Sequence, residues 1–339
     1  MIGDDALARV RRRLDEEVPR WFGPGARLSA LSGPQAHAWS CQFSLAVEVA
    51  GGRRELVVKI PRWEEAPTLQ AALAAGPQES TRREYAALEA IAAVVGESRD
   101  PGLAAVTPVG YLPDLNAVVT ERLASVPLHA LLGTRPGAEG RQVEVLRRVG
   151  RVLRLYHERA AGAGPGRLDG TALAAELEAI AARPCLGGPS LREALEVVAR
   201  QARKLDGRTV VMGATHGDFS LANVVVTPDG RVAILDPNLV DAPVLEDTAK
   251  LLIGLRMRRA RAISLGLLGR VGLRLAELAF LEGYGPVDAA LLRFFRAVAA
   301  ARRGAEMEER LVGRSGLVRR PAAFLLGRYL SAELSRPAA

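Results

Sequence analysis

Between Thr215 and Val226 the chain reads THGDFSLANVVV, where Asp218 is followed five residues later by Asn223 and preceded two positions earlier by His216. Thirteen residues beyond Asn223 stands Asp236, and the intervening VVVTPDGRVAIL places a Pro-Asp-Gly turn between two strand-like runs. A tight hairpin returns its ends to one edge, so this spacing predicts that Asn223 and Asp236 converge beside Asp218. Two oxygen donors flanking a further carboxylate suit a hard cation such as Mg²⁺ and leave Asp218 to accept a proton. The same residue types also form hydrogen-bonded Asx turns ahead of strands, a purely structural use of the same spacing.

The elements that must position these residues are legible from periodicity. A charged helix over about 4–17 precedes WSCQFSLAVEVAGGRRELVVKIP, in which Cys41, Phe43, Leu45, Val47 and Val49 alternate and Gly51-Gly52 turns the chain into ELVVKI, a β-hairpin. STRREYAALEAIAAVV reads as a helix capped by Ser80 or Thr81, with Leu88, Ile91 and Val95 inward and Glu84 in its first turns. VTPVGYL and NAVVTERL read as two more strands. From Pro127 the pattern turns helical, at about 127–133, 141–160, 171–182 and 190–205, separated by loops such as AGAGPGRLDG and RPCLGGPS. One strand island carries the hairpin after Asn223, and helices resume from about 244 nearly to the end. The expected fold class is α+β, with a small β-rich lobe (1–121), a connection near 120–126 and a larger helical lobe (122–339), an arrangement whose clefts commonly take ligands.

The 339 residues are 49% hydrophobic and 25% charged, as in a globular chain with an ample core. Cys41 and Cys185 are too few for a disulfide framework and wrongly spaced for zinc. The start, MIGDDALARVRRR, lacks the apolar stretch of a signal peptide, and arginines 256, 270 and 274 interrupt the late apolar runs, so the expectation is a cytoplasmic protein with no transmembrane segment. The net charge of +8 is arginine-dominated and spread over helix faces without interleaved aromatics. That pattern argues against a nucleic-acid partner and suits anionic ligands better than polycations.

HGDFSLAN followed by AILDPN resembles the catalytic and metal-binding segments of the aminoglycoside phosphotransferase and choline kinase superfamily, small-molecule relatives of the protein kinases. Gly217, where protein kinases carry Arg, points to the small-molecule branch. The resemblance runs from about residue 28 to 285 and implies a bilobal, protein-kinase-like fold with a small antiparallel sheet in the N-lobe. It implies Asp218 as catalytic base and Mg²⁺ held by Asn223 and Asp236. Lys59 of VVKIP would hold the α- and β-phosphates of ATP or GTP, aligned by Glu84 of REYAALEAI. Backbone groups of Glu121 and Leu123, in the hinge-like TERLASVPL, would meet the adenine edge. The phosphate-covering loop is LSGPQAHAWS, with Gly33 as its one glycine, so Ser32, Gly33 and His37 are its candidate phosphate contacts. His157 stands where the family has a Leu-His pair, a position read as a satisfied core histidine, and Asp247 where the family's aspartate buttresses the catalytic loop.

The resemblance implies phosphoryl transfer to a hydroxyl of a small molecule. Its acceptor helices diverge freely; the basic net charge weighs against polycationic aminoglycosides, and a sugar, an amino alcohol or an anionic acceptor fits at least as well. The alternative from another class is a non-catalytic nucleotide-binding or scaffold protein on the same fold. Oligomeric state is not legible.

Overall fold

The computed structural model describes residues 4–37, 39–132, 139–160, 162–184, 189–237, 239–264 and 272–311. Cys185, Gly133, Asn238 of the AILDPN run and any helix beyond 311 lie outside the described residues. The chain divides into two compact units, one formed by Met1–Val126 with Thr227–Leu239, the other by Pro127–Val226 with the chain from Val240 onward.

The first unit opens with α1 (Asp4–Phe22) and contains β1 (Arg27–Ala36), β2 (Ser40–Val49), β3 (Gly52–Pro61), α2 (Leu69–Ala74), α3 (Glu79–Ser98), β4 (Pro108–Leu112) and β5 (Ala117–Glu121). The five strands form one antiparallel sheet in the order β1-β2-β3-β5-β4. Alternation decides its faces, because successive side chains on a strand point to opposite sides. Cys41, Phe43, Leu45 and Val47 of β2, Leu56, Val58 and Ile60 of β3, and Ala117 and Val119 of β5 share a buried cluster with Ala6, Val10, Leu14 and Val18 of α1 and Leu69 and Leu73 of α2. Lys59 and its register partner Val118 fall on the opposite face, where Val118 packs with Leu88 of α3 and with Val106, Leu123 and Leu235.

α3 begins earlier than the expected Ser80/Thr81 cap. Gln78 occupies the N-cap but makes no capping bond, its side chain donating back to Ala75 O and Gly76 O, and Thr81 is buried one turn inside. The cap acceptor comes from elsewhere: Asn116, in the left-handed region at φ 50°, takes the Gln78 N–H on Oδ1 at 3.2 Å. The later segment of this unit holds β10 (Val232–Ile234), bridged to the chain at Leu103 through Val232 N–H to Gly102 O (3.0 Å) and Ala104 N–H to Val232 O (2.8 Å).

After β6 (Val126–Pro127), the second unit comprises α4 (Leu128–Leu131), α5 (Glu139–Leu155) running into a π-turn at Tyr156–Ala160, β7 (Gly164–Arg167), α6 (Gly170–Ala181), α7 (Pro189–Lys204), β8 (Thr209–Thr215), β9 (Val224–Val226), β11 (Val240–Pro243), α8 (Leu245–Ser264), α9 (Gly272–Tyr284) and α10 (Ala289–Leu311). Its core is built by α6, α7, α8 and α10, with Leu177, Leu195, Val198, Ile253, Phe295 and Val298 among the buried side chains. The Gly/Pro-rich run read as a loop instead contributes β7, which pairs antiparallel with β8, as does β11 on the other side. Its composition has no strand propensity; the Met212 side chain occupies the space where a Cβ on Gly166 would sit, at 2.3 Å, so close backbone approach replaces side-chain packing. No helix among the described residues is long and apolar enough to cross a membrane.

Candidate active site

Lys59 emerges from β3 between the buried Val58 and Ile60. Its ammonium stands 2.9 Å from Glu84 Oε1 and 2.9 Å from Asp236 Oδ1. The lysine and glutamate side chains are only 18% and 8% exposed, while Asp236 is 44% exposed, so one carboxylate anchors the cation from inside and the other presents it outward. Glu84 is reached because Thr81, Glu84, Ala87, Leu88 and Ile91 form the buried stripe of α3. An acid in an apolar stripe is itself a sequence signal. Burial pulls the Lys59 ammonium down, but Glu84 and Asp236 outweigh it and hold its pKa above the usual lysine value. Burial, with the nearby Asp236 charge, pushes the Glu84 carboxyl up against the lowering pull of Lys59. Asp236 follows β10 in the left-handed region at φ 53°, a conformation that aspartate tolerates better than branched residues.

Elsewhere in this unit lie the expected nucleotide contacts. Glu121 closes β5, and Arg54 draws its carboxylate aside at 2.8 Å, leaving backbone as what this position offers. Glu121 N–H is committed to Thr107 O (2.9 Å) and Arg122 N–H to Glu55 O (2.8 Å), while Leu123 packs its side chain against the Leu88, Val106 and Val118 cluster and accepts from Ser125 Oγ on its carbonyl (3.1 Å). Ser32 and Gly33 do not lie in a loop between strands; they belong to β1, at a register shift between Ser32 and Gln35. Gly33 has φ 114°, and a Cβ there would meet Gln42 O at 2.8 Å, so the bulge requires glycine. Ser32 Oγ donates to Ser44 O at 3.4 Å. Between β1 and β2, His37 N–H donates to Ser40 O (2.8 Å), and the Arg62 guanidinium donates to the carbonyls of His37 and Pro67.

In the second unit, β8 delivers the chain into His216-Gly217-Asp218, and β11 leads into the first turn of α8. Asp247, fully buried there, accepts the His216 N–H on Oδ2 at 2.6 Å and the Gly217 N–H on Oδ1 at 3.2 Å. Lys250, one turn along α8, donates to the Gly217 carbonyl, so the peptide groups on both sides of Gly217 are held. Gly217 takes φ 79°, open to glycine at no steric cost. The His216 ring, wholly buried, meets Phe219 edge-on at 5.4 Å. Asp218, anchored this way on both sides, leaves its side chain exposed. Asn223 Nδ2 donates to Asp218 O (2.9 Å) and Oδ2 (3.0 Å), which turns the Asn223 amide oxygen away from Asp218.

His157 completes the support. Asp247 can only accept, so the His157 Nε2 at 3.1 Å carries the proton, and the Tyr284 hydroxyl lies 3.0 Å from Nδ1. Burial alone would push the Asp247 carboxyl up; the His157 hydrogen bond and the nearby His216 and Lys250 outweigh it and hold it below the usual carboxylate range. Burial pushes the Tyr284 phenol up to about 12, which keeps it a donor. Lys250 and Tyr284 were not singled out by the motif; for Lys250 the signal was its i+3 spacing from Asp247, and for Tyr284, 127 residues from His157, no local signal exists.

Asn223 belongs to the second unit and Asp236 to the first. An amide oxygen and a half-exposed carboxylate are hard oxygen donors, which fit Mg²⁺, an ion that takes one or two protein ligands beside phosphate and water. Among the described residues no group of three or more His, Cys, Asp or Glu is arranged to hold a metal ion by itself.

A family model described as "Phosphotransferase enzyme family" matches residues 43–287. No curated protein sequence matches the chain. Among solved structures, a choline/ethanolamine kinase family protein from Mesorhizobium loti matches at 15% identity and TM-score 0.56, over 98% of this chain and 96% of that one. A macrolide 2′-phosphotransferase from Brachybacterium faecium matches at 15% identity and TM-score 0.54, over 98% and 99%. A spectinomycin phosphotransferase solved with ADP and spectinomycin matches at 12% identity and TM-score 0.52, over 96% and 94%. The α+β, kinase-like fold that the motifs implied is the fold of these structures.

Proposed function

The chain belongs to the phosphotransferase enzyme family, and from that premise we propose that it transfers the γ-phosphate of ATP or GTP to a hydroxyl of a small molecule. The observation that carries this reading is Lys59, charged and held at 2.9 Å by both Glu84 and Asp236. A buried cation clamped by two carboxylates costs desolvation energy that packing alone would not require, and it supplies a preorganised charge for α- and β-phosphate oxygens.

Asp218, exposed at the end of a rigidly held loop, orients the acceptor hydroxyl and takes its proton. Asn223 and Asp236 would hold Mg²⁺, which when bound neutralises charge on the phosphate oxygens. Glu121 and Leu123 would offer backbone to the adenine edge, and Ser32 and Gly33, in the β1 bulge, would offer theirs to phosphate. Because phosphoryl transfer is mainly positioning and charge neutralisation, no strongly shifted base is needed. AMP and ADP are bound in solved structures of this fold, and the molecules named for those proteins, choline, macrolides and spectinomycin, all carry a hydroxyl. An ATP-rich, reducing cytoplasm is the compartment this reading implies.

The test is nucleotide turnover over a panel of amino alcohols, sugars, macrolides and aminoglycosides, for the wild type and Asp218→Ala. Acceptor-dependent ADP release lost in Asp218→Ala supports the reading. A wild type that binds Mg-ATP but phosphorylates nothing, with Asp218→Ala indistinguishable from it, leaves the non-catalytic nucleotide-binding alternative.

A further inference from the structure

Three glycines fix how α9 packs and where it ends. α5 and α9 pack with their backbones in contact: a Cβ on Gly150 would lie 2.1 Å from Phe280 O, and one on Gly283 would lie 1.9 Å from Arg147 O. Gly285, at φ 95°, then stops the helix, its N–H returning to Leu281 O at 2.8 Å. Tyr284 is thereby fixed as the last residue of α9, its ring edge-on to His157 at 5.8 Å and beside Phe280 at 6.4 Å.

From that hydroxyl an unbroken line of buried contacts reaches the catalytic loop. Tyr284 Oη is 3.0 Å from His157 Nδ1, His157 Nε2 is 3.1 Å from Asp247 Oδ2, and the same oxygen takes the His216 N–H at 2.6 Å. Asp247 Oδ1 holds the Gly217 N–H, immediately before Asp218. Tyr284, His157, Asp247 and His216 are all buried, so a tautomer change of His157 would set a lone pair against the Asp247 carboxylate and a ring flip would withdraw the Nε2 donor from it, in either case away from bulk water. A donor on the far side of the ring reinforces the restraint, because it gives Nδ1 a partner only in the tautomer that donates to Asp247.

We propose that Tyr284 is a positioning residue for the transfer step, fixing the His157 tautomer that donates to Asp247 and so holding the backbone from which Asp218 projects. The proposal rests on the phosphotransfer reading of Asp218. Tyr284→Phe removes a single oxygen and keeps the ring packing. His157→Gln places an amide donor near the Nε2 position and needs no tyrosine.

Amide hydrogen exchange at His216 and Gly217 in the full chain is measured for the wild type, Tyr284→Phe, His157→Gln and the double substitution. Exchange at these two amides is expected to quicken about tenfold in Tyr284→Phe. Adding Tyr284→Phe to His157→Gln should change it less than about twofold, since the tyrosine acts through the histidine. Once an acceptor is in hand, kcat in Tyr284→Phe should fall about tenfold with the nucleotide KM held within about twofold. The proposal is overturned if exchange at both amides is unchanged in Tyr284→Phe, if its effect persists at full size beside His157→Gln, or if KM rises while kcat holds. Exchange needs neither nucleotide nor acceptor, so quickened exchange in a chain that phosphorylates nothing retires the phosphotransfer reading and leaves the hold on the loop standing.

Discussion

Replacing Asp247 with Asn tests how the loop that carries Asp218 is held, because the change is isosteric and its cost can be worked from the contacts. The carboxylate takes three donors on two oxygens: the His216 N–H and His157 Nε2 on Oδ2, and the Gly217 N–H on Oδ1. An asparagine keeps most by leaving its oxygen at the Oδ2 position, which turns its NH₂ toward the Gly217 N–H. That contact, a hydrogen bond to a charged group worth about 1.5–3 kcal/mol, becomes donor against donor. The two surviving bonds lose their charge assistance, about half of their strength, or roughly 1 kcal/mol each. The expected cost is about 3–5 kcal/mol, a large share of the 5–15 kcal/mol typical of whole domains. Urea denaturation of both proteins at pH 7 measures it.

The pH dependence follows from the direction of the shift. The folded Asp247 carboxyl lies below its unfolded value of about 3.9, so its contribution is fully present above that value and is lost as pH falls through the lower, folded one. The gap between wild type and Asp247→Asn should therefore narrow only in acid, below about pH 4. A variant within about 0.5 kcal/mol of wild type at pH 7, or a gap unchanged from neutral pH into acid, refutes the reasoning.

Lys59→Met leaves Glu84 buried without its cation, so stability should drop by about 3 kcal/mol and Mg-ATP affinity, read by calorimetry, should fall at least about tenfold; unchanged affinity removes Lys59 from the phosphate site. Gly150→Ala pushes a methyl into the Phe280 carbonyl of α9 and should cost about 3 kcal/mol or more in a thermal or urea melt, whereas the same change at Gly140, with open space around it, should cost nothing of the kind.

What could be read in advance was whatever depends on period and spacing. Alternation put Phe43, Leu45 and Val47 on the core face of β2, and the same period on β3 put Lys59 on the other. Asp218 and Asn223 sit close enough in sequence for a turn to join them, and their side chains bond. Features set by distant partners were not legible. The α3 cap is lent by Asn116, β7 exists because β8 offers an edge to a run with no strand propensity, and Ser32-Gly33 is absorbed into β1 as a bulge. The Tyr284–His157 contact depends on a glycine-on-glycine helix crossing, which no local pattern announces.

The first unit is discontinuous: it takes back Thr227–Leu239 after about 100 residues have gone to the second. On the ribosome this becomes a matter of timing. At roughly 5–20 residues per second, the nascent sheet waits on the order of 5–20 s with the Gly102 carbonyl and Ala104 N–H unclaimed and Lys59 paired to Glu84 alone. Asp236 therefore arrives late to a lysine that already carries its charge, and a fragment ended at Val126 would keep that unfinished state permanently.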